Sequence, residues 1–169
     1  NNDNGIGCTF FISLPKPNQK QIEKPEKLNE VGKVSSSNKN HQLENLEILI
    51  VEDNEDSREV LQFYLIQMGA KVYGAESAKE GLNYLKQTES LPNLIISDIS
   101  MPEEDGISFI KKVRNLENNQ GGSVPAIALT AFASPNETKK ILEAGFQKHH
   151  AKPFEPDQLI NDILEILNS

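Results

Sequence analysis

The chain has 169 residues, 17 of them Lys or Arg and 25 Asp or Glu, for a net charge of −8 at pH 7. An acidic balance argues against a nucleic-acid binder, whose affinity rests on clustered cations; the single cysteine, Cys8, excludes an internal disulfide or a cysteine-rich zinc site and fits a reducing compartment. Apolar runs fall far short of the roughly 20 residues that span a bilayer, and no basic-then-apolar leader opens the sequence, so a soluble cytoplasmic protein is expected.

The charge is unevenly spread. Residues 1–44 hold six lysines and five acids, which leaves 11 basic and 20 acidic groups in residues 45–169. Cys8 to Leu14 is apolar, β-branched and aromatic, and ends at Pro15, which predicts a strand. A lone strand has nothing to pair with, so residues 1–15 read as the severed edge of something larger. Between Pro15 and Glu44 the apolar side chains are Ile22, Leu28, Val31, Val34 and Leu43, too few to offset the entropy of ordering the stretch. Residues 16–44 are therefore expected to be a flexible linker.

From residue 45 short strands and helices alternate. Leu46 to Val51 predicts a buried strand, and Asp56 or Ser57 opens a helix with Leu61, Tyr64, Leu65 and Met68 at helical spacing, stopped by Gly69. Lys71 to Ala75 is a second strand. Ser77-Ala78-Lys79-Glu80 is a capping box for a helix whose Leu82 and Leu85 face inward. Leu94-Ile95-Ile96 is a third strand running into Ser97-Asp98, and a helix with Phe109, Ile110 and Val113 inside follows Gly106. Pro125 to Leu129 is the fourth strand. Ser134-Pro135-Asn136-Glu137 joins a capping box to a proline at the first helical position, and Gly145 closes that helix. Phe146 to His150 is a weaker fifth strand, and Pro156 starts a last helix with Leu159, Ile160, Ile163, Ile166 and Leu167 on its apolar side.

Alternation of this kind implies a parallel sheet covered on both faces. With about 125 residues, a flavodoxin-like doubly wound five-stranded sheet of order 2-1-3-4-5 is expected, since a closed α/β barrel takes about 250. Sites in such sheets form beyond the carboxyl ends of the strands. The residues there are Glu52-Asp53, Asp98, Thr130 and Lys152-Pro153. Each alone has an ordinary explanation, a helix cap for the acids, a backbone-bonded hydroxyl for Thr130, a surface cation for Lys152. Their convergence on one sheet edge is the signal. Three crowded carboxylates repel one another unless a divalent cation sits among them, and an all-oxygen set suits Mg²⁺, with Mn²⁺ as the alternative. A carboxylate can then serve as nucleophile toward phosphorus, with the lysine, the metal and a hydroxyl stabilising the phosphoryl oxygens.

The segments ILIVEDNEDSREVL, LIISDISMPEEDG, ALTAFA and HHAKPF resemble, in order and spacing, the four motifs of two-component response regulator receiver domains. The resemblance covers about residues 46–168. It implies that Asp98 is the phosphoacceptor, that Glu52 and Asp53 form the acidic metal pocket with the backbone carbonyl of Ser100, and that Thr130 is the switch hydroxyl. It further implies that Lys152 senses the phosphate and that Lys152-Pro153 is a cis peptide. His149 stands three residues before the lysine, where the family often has a Tyr or Phe, and is the candidate second switch residue. Glu104 replaces a commonly apolar residue, adding charge near the site or lying in a solvated loop.

Gly5 to Pro15 resembles the last strand of a histidine kinase ATP-binding domain. Together the pieces imply the C-terminal receiver, residues 45–169, of a hybrid sensor histidine kinase. Such a fragment would take phosphate from a kinase phosphohistidine and exchange it with a histidine phosphotransfer protein, without touching nucleic acid or membrane itself, even where the parent kinase is membrane-anchored. No histidine box or nucleotide loop is present, so the fragment is not expected to be a kinase; its catalysis is confined to its own phosphorylation and dephosphorylation. A stand-alone regulator acting through protein contacts is the alternative. An aspartate-nucleophile phosphatase would need a second carboxylate where Ser100 stands, and a flavin site would be repelled by Glu52-Asp53.

Overall fold

The computed structural model describes residues 41–131 and 134–168. The strand expected at residues 8–14 and most of the expected linker lie outside them. The elements are β1 (Glu47–Val51), α1 (Glu55–Gln67), β2 (Lys71–Ala75), α2 (Ala78–Gln87), β3 (Leu94–Asp98), α3 (Gly106–Arg114), β4 (Ala126–Thr130), α4 (Pro135–Ala144), β5 (Lys148–Ala151) and α5 (Pro156–Leu167). All strand pairs are parallel, in the order β2-β1-β3-β4-β5.

The sheet's period-two alternation sends side chains into two cores. Leu49, Val51, Ile95, Ala126 and Ala128 meet Leu82, Phe109, Ile110 and Ile141 from α2, α3 and α4. Ile48, Ile50, Leu94, Ile96, Ile127 and Leu129 meet Leu61, Leu65, Leu159, Ile160 and Ile163 from α1 and α5. Each large aliphatic or aromatic side chain removed from water in this way contributes about 1.5–3 kcal/mol. The central β3 and β4 are buried throughout, whereas the edge strand β2 alternates exposed and half-buried residues until Ala75.

Caps set where the strands hand over to helices. α1 begins earlier than expected, because the Asn54 side chain accepts from the Ser57 N–H and Glu55 becomes the first helical residue. The Ser134/Glu137 capping box forms in both directions. That at Ser77 is one-sided: Ser77 accepts from the Glu80 N–H, but the Glu80 carboxylate turns back to the Glu76 N–H at 2.8 Å and to the Tyr73 hydroxyl at 3.2 Å. Gly69 (φ +95°) and Gly145 (φ +119°) take the left-handed conformation that ends α1 and α4. β5 starts at Lys148, two residues later than expected, because Phe146 is spent on the core between α4 and the strand.

One residue ahead of β1 joins the core. Leu43 is fully buried in the α1/α5 core, and its N–H donates to the Met68 carbonyl at 2.9 Å. Leu43 thus packs on the domain from within the segment expected as linker. Composition undercounts such a segment because one anchor in the right place suffices.

Candidate functional site

Parallel strands all point their carboxyl ends the same way, so the residues ending β1, β3, β4 and β5 share one edge. Glu52 follows β1 directly, Asp98 and Thr130 are the last residues of β3 and β4, and Lys152 follows β5. Carboxylate oxygens of Glu52, Asp53 and Asp98 lie within 4.8 Å of one another. Glu52 and Asp98 are 3% and 4% exposed, whereas Asp53 opens to solvent.

Lys152 closes the cluster. Its Nζ donates to Glu52 Oε2 at 2.6 Å and pairs with Asp98 Oδ1 at 2.8 Å. Its backbone N–H donates to the Thr130 carbonyl at 2.7 Å, which ties β5's exit to β4, and the Lys152–Pro153 bond is cis. The other Asp98 oxygen, Oδ2, accepts from the Ser100 N–H at 3.1 Å. Burial pushes the Glu52 carboxyl above its ordinary range, against the pull of the Lys152 ammonium bonded to it. Burial draws Lys152 down, but its bonds to Asp98 and Glu52 and their charges together carry it above its ordinary value. Two buried carboxyl groups share one ammonium, and the third faces water. Such a set is short of positive charge, and hard oxygen donors fit Mg²⁺.

Thr130 is 4% exposed. His149 lies opposite Ala128 in the β4–β5 register, two residues back from the strand ends. Its Nε2 is 2.7 Å from the Thr138 hydroxyl on α4, while Nδ1 is buried with no hydrogen-bond partner among the described residues. Glu104 is not a solvated loop residue: it pairs with Lys112 at 2.7 Å and has its other oxygen buried.

Two features of the site escape the sequence reading. Arg58, on the first turn of α1, donates from Nη1 to the carbonyls of Glu52 (2.7 Å) and Asp53 (3.4 Å); its place five residues after the acidic pair was the only signal. Beside the cluster, an open groove of about 360 Å³ runs from Glu52 and Lys152 past Val60, Leu61, Pro153 and Phe154. Val60 and Phe63 on α1 are 71% and 67% exposed at its rim and beyond.

Residues 48–164 match the model of the response regulator receiver domain. The chain belongs to that family. A relative from Leptolyngbya boryana, an uncharacterized 14.6 kDa protein of the sodA1 3′ region, is 42% identical over 118 residues, 70% of this chain and 87% of that protein. Hybrid signal transduction histidine kinase D of Dictyostelium discoideum is 34% identical over 137 residues, 79% of this chain but 9% of the kinase. Among solved structures, the receiver domain of sensor histidine kinase PA1611 from Pseudomonas aeruginosa PAO1 has a TM-score of 0.65 at 30% identity, over 73% of this chain and 98% of that one. That structure carries a magnesium ion coordinated in its active site cleft. The flavodoxin-like receiver fold, and membership in two-component signal transduction, follow from these matches together with the sheet order. No helix among the described residues is long and apolar enough to cross a membrane.

Proposed function

We propose that this domain accepts a phosphoryl group on Asp98 from the phosphohistidine of a histidine kinase. The observation that carries the reading is the gathering of the Glu52, Asp53 and Asp98 carboxylates around one edge, with Lys152 bridging the two buried ones. An Asp98 oxygen attacks phosphorus; an O–P bond forms as the P–N bond breaks, and the imidazole leaves with the bonding pair. Glu52, Asp53, Asp98 and the Ser100 carbonyl would hold Mg²⁺, which when bound neutralises charge on the phosphoryl oxygens. Lys152 stays paired to Asp98 and meets the charge that builds on the phosphoryl group, and the Thr130 hydroxyl donates to one of its oxygens. Drawing Thr130 toward the phosphoryl group would be passed to β5 and α4 through His149, whose ring is bonded to Thr138.

The exposed apolar side chains of Val60 and Phe63 at and beyond the groove beside Lys152 support delivery by a protein, either the kinase or a histidine phosphotransfer protein, since exposed apolar patches mark protein contacts. We read residues 45–169 as the receiver of a hybrid sensor kinase in the cytoplasm, residues 1–15 as the end of its ATP-binding domain, and 16–44 as the linker between them, with Leu43 packed on the receiver. The match to hybrid kinases supports that assignment. A stand-alone regulator is favoured by a different observation: the Leptolyngbya relative is little longer than the domain itself.

Incubation with acetyl phosphate and Mg²⁺ followed by intact mass tests the chemistry. One added phosphoryl group, absent in Asp98→Asn and without Mg²⁺, is expected. Turnover of the donor without an adduct would instead favour a phosphatase.

A further inference from the structure

The chain has two arginines, Arg58 and Arg114, among 25 acidic residues. Neither forms an ion pair with a carboxylate among the described residues; both spend the guanidinium on backbone carbonyls. Arg114 bonds the carbonyls of Gly122, Val124 and Gly145 and so fastens the end of α4. Arg58 bonds the carbonyls of Glu52 and Asp53, the two residues whose side chains make up the acidic pair.

A cation among so many acids that turns to carbonyls does so because the geometry holds it there. Gly74 on β2 leaves the space: a Cβ at that position would lie 3.2 Å from Arg58 Cδ and closer still to Gln62. The Arg58 stem thus passes beside Gly74, and its planar, pre-organised fork reaches the carbonyls of the β1–α1 turn. The Asn54 side chain caps α1 by accepting from the Ser57 N–H, so the turn that Arg58 grips through its carbonyls is also fixed to the helix.

We propose that Arg58 is a positioning residue that presets the Glu52–Asp53 turn, so that both carboxylates face Asp98 before a cation arrives. The proposal rests on reading the cluster as a metal pocket. Groups that orient metal-binding residues typically carry 10–100-fold in affinity, and Arg58→Ala is expected to weaken Mg²⁺ binding about tenfold at that low end. Arg58→Lys, which keeps the charge but reaches one carbonyl at a time, should recover part of the loss.

The test uses the full chain. Mg²⁺ affinity is read from the amide shifts of Asp53 and Asn54, and amide exchange of the same residues is measured without metal. Weaker Mg²⁺ binding in Arg58→Ala, partial recovery in Arg58→Lys and faster exchange at 53–54 in the metal-free alanine variant support the proposal. Unchanged or tighter Mg²⁺ binding in Arg58→Ala overturns it, since a charge acting only through space would repel the cation and its loss would strengthen binding. Unchanged exchange at 53–54 overturns it as well. A wild-type chain with no saturable Mg²⁺ response sinks the metal-pocket reading instead, and the metal-free exchange comparison still decides whether Arg58 presets the turn.

Discussion

Replacing Lys152 with methionine keeps most of the unbranched stem and removes the charge. In the wild type the ammonium lies 2.6 Å from Glu52 and 2.8 Å from Asp98, whose side chains are only 4% and 6% exposed. Breaking a buried pair by removing one partner costs about 3–5 kcal/mol. Lys152 is itself 28% exposed, so solvent already screens part of that interaction, and about 2–3 kcal/mol is expected at neutral pH. For a domain of this size that is a fall of roughly 10 °C in unfolding midpoint. The pH dependence has a definite sign. Burial already raises the Glu52 carboxyl, and Lys152 is the main influence holding it down. Without Lys152 the folded state binds more protons than the unfolded chain above pH 4.5, so stability falls as pH rises through the new, higher folded value. The deficit of the variant is therefore small in acid and grows toward neutrality. Added Mg²⁺ should repair more of it than it adds to the wild type, because two anions without their ammonium bind a cation more tightly. Urea unfolding followed by circular dichroism from pH 4 to 8, with and without Mg²⁺, measures all three effects. A variant as stable as the wild type at pH 7 without metal would refute the claim that Lys152 holds the pocket's charges together.

Four further outcomes are expected. Asp53→Ala should abolish most Mg²⁺ binding and phosphorylation in the same titration, because Asp53 is the carboxylate of the cluster open to solvent. An added Cβ at Gly106 would collide with the Asp98 carbonyl oxygen and Ile99 Cα, so Gly106→Ala should cost about 2 kcal/mol in urea unfolding and slow phosphorylation by displacing the strand end that carries Asp98. Burial holds His150 below its ordinary value of 6.5, against the pull of Asp162 at 3.0 Å and with His149 and Lys148 adding to the depression; the folded state binds fewer protons, so this contribution to stability is kept above pH 6.5 and lost as pH falls below it, and His150→Gln should flatten that arm of the stability profile. Thr130→Ala should still accept phosphate at Asp98 but lose the accompanying shifts at Phe146 and His149; full-sized shifts would mean that the signal leaves by another route.

Local chemistry in the sequence determined most of this fold. Apolar runs bounded by Gly, Pro and Asn mark each strand, helical spacing marks each helix, and Ser134-Pro135-Asn136-Glu137 encodes its own cap, because each of these preferences is settled within one turn or a few residues. Parallel connectivity then brought Glu52, Asp98, Thr130 and Lys152 to one edge, so their gathering there was legible too. What each of them bonds was decided only by the tertiary structure. Lys152 and Glu52 are 100 positions apart, and nothing local says that one ammonium bridges both buried carboxylates. Glu104 finds Lys112 on α3, Arg58 passes over Gly74 to the β1–α1 turn, and Leu43 reaches the α1/α5 core from a polar segment. These contacts join elements whose relative placement comes from crossover packing, and a long polar side chain with several rotamers settles on a partner only after that packing has placed it within reach.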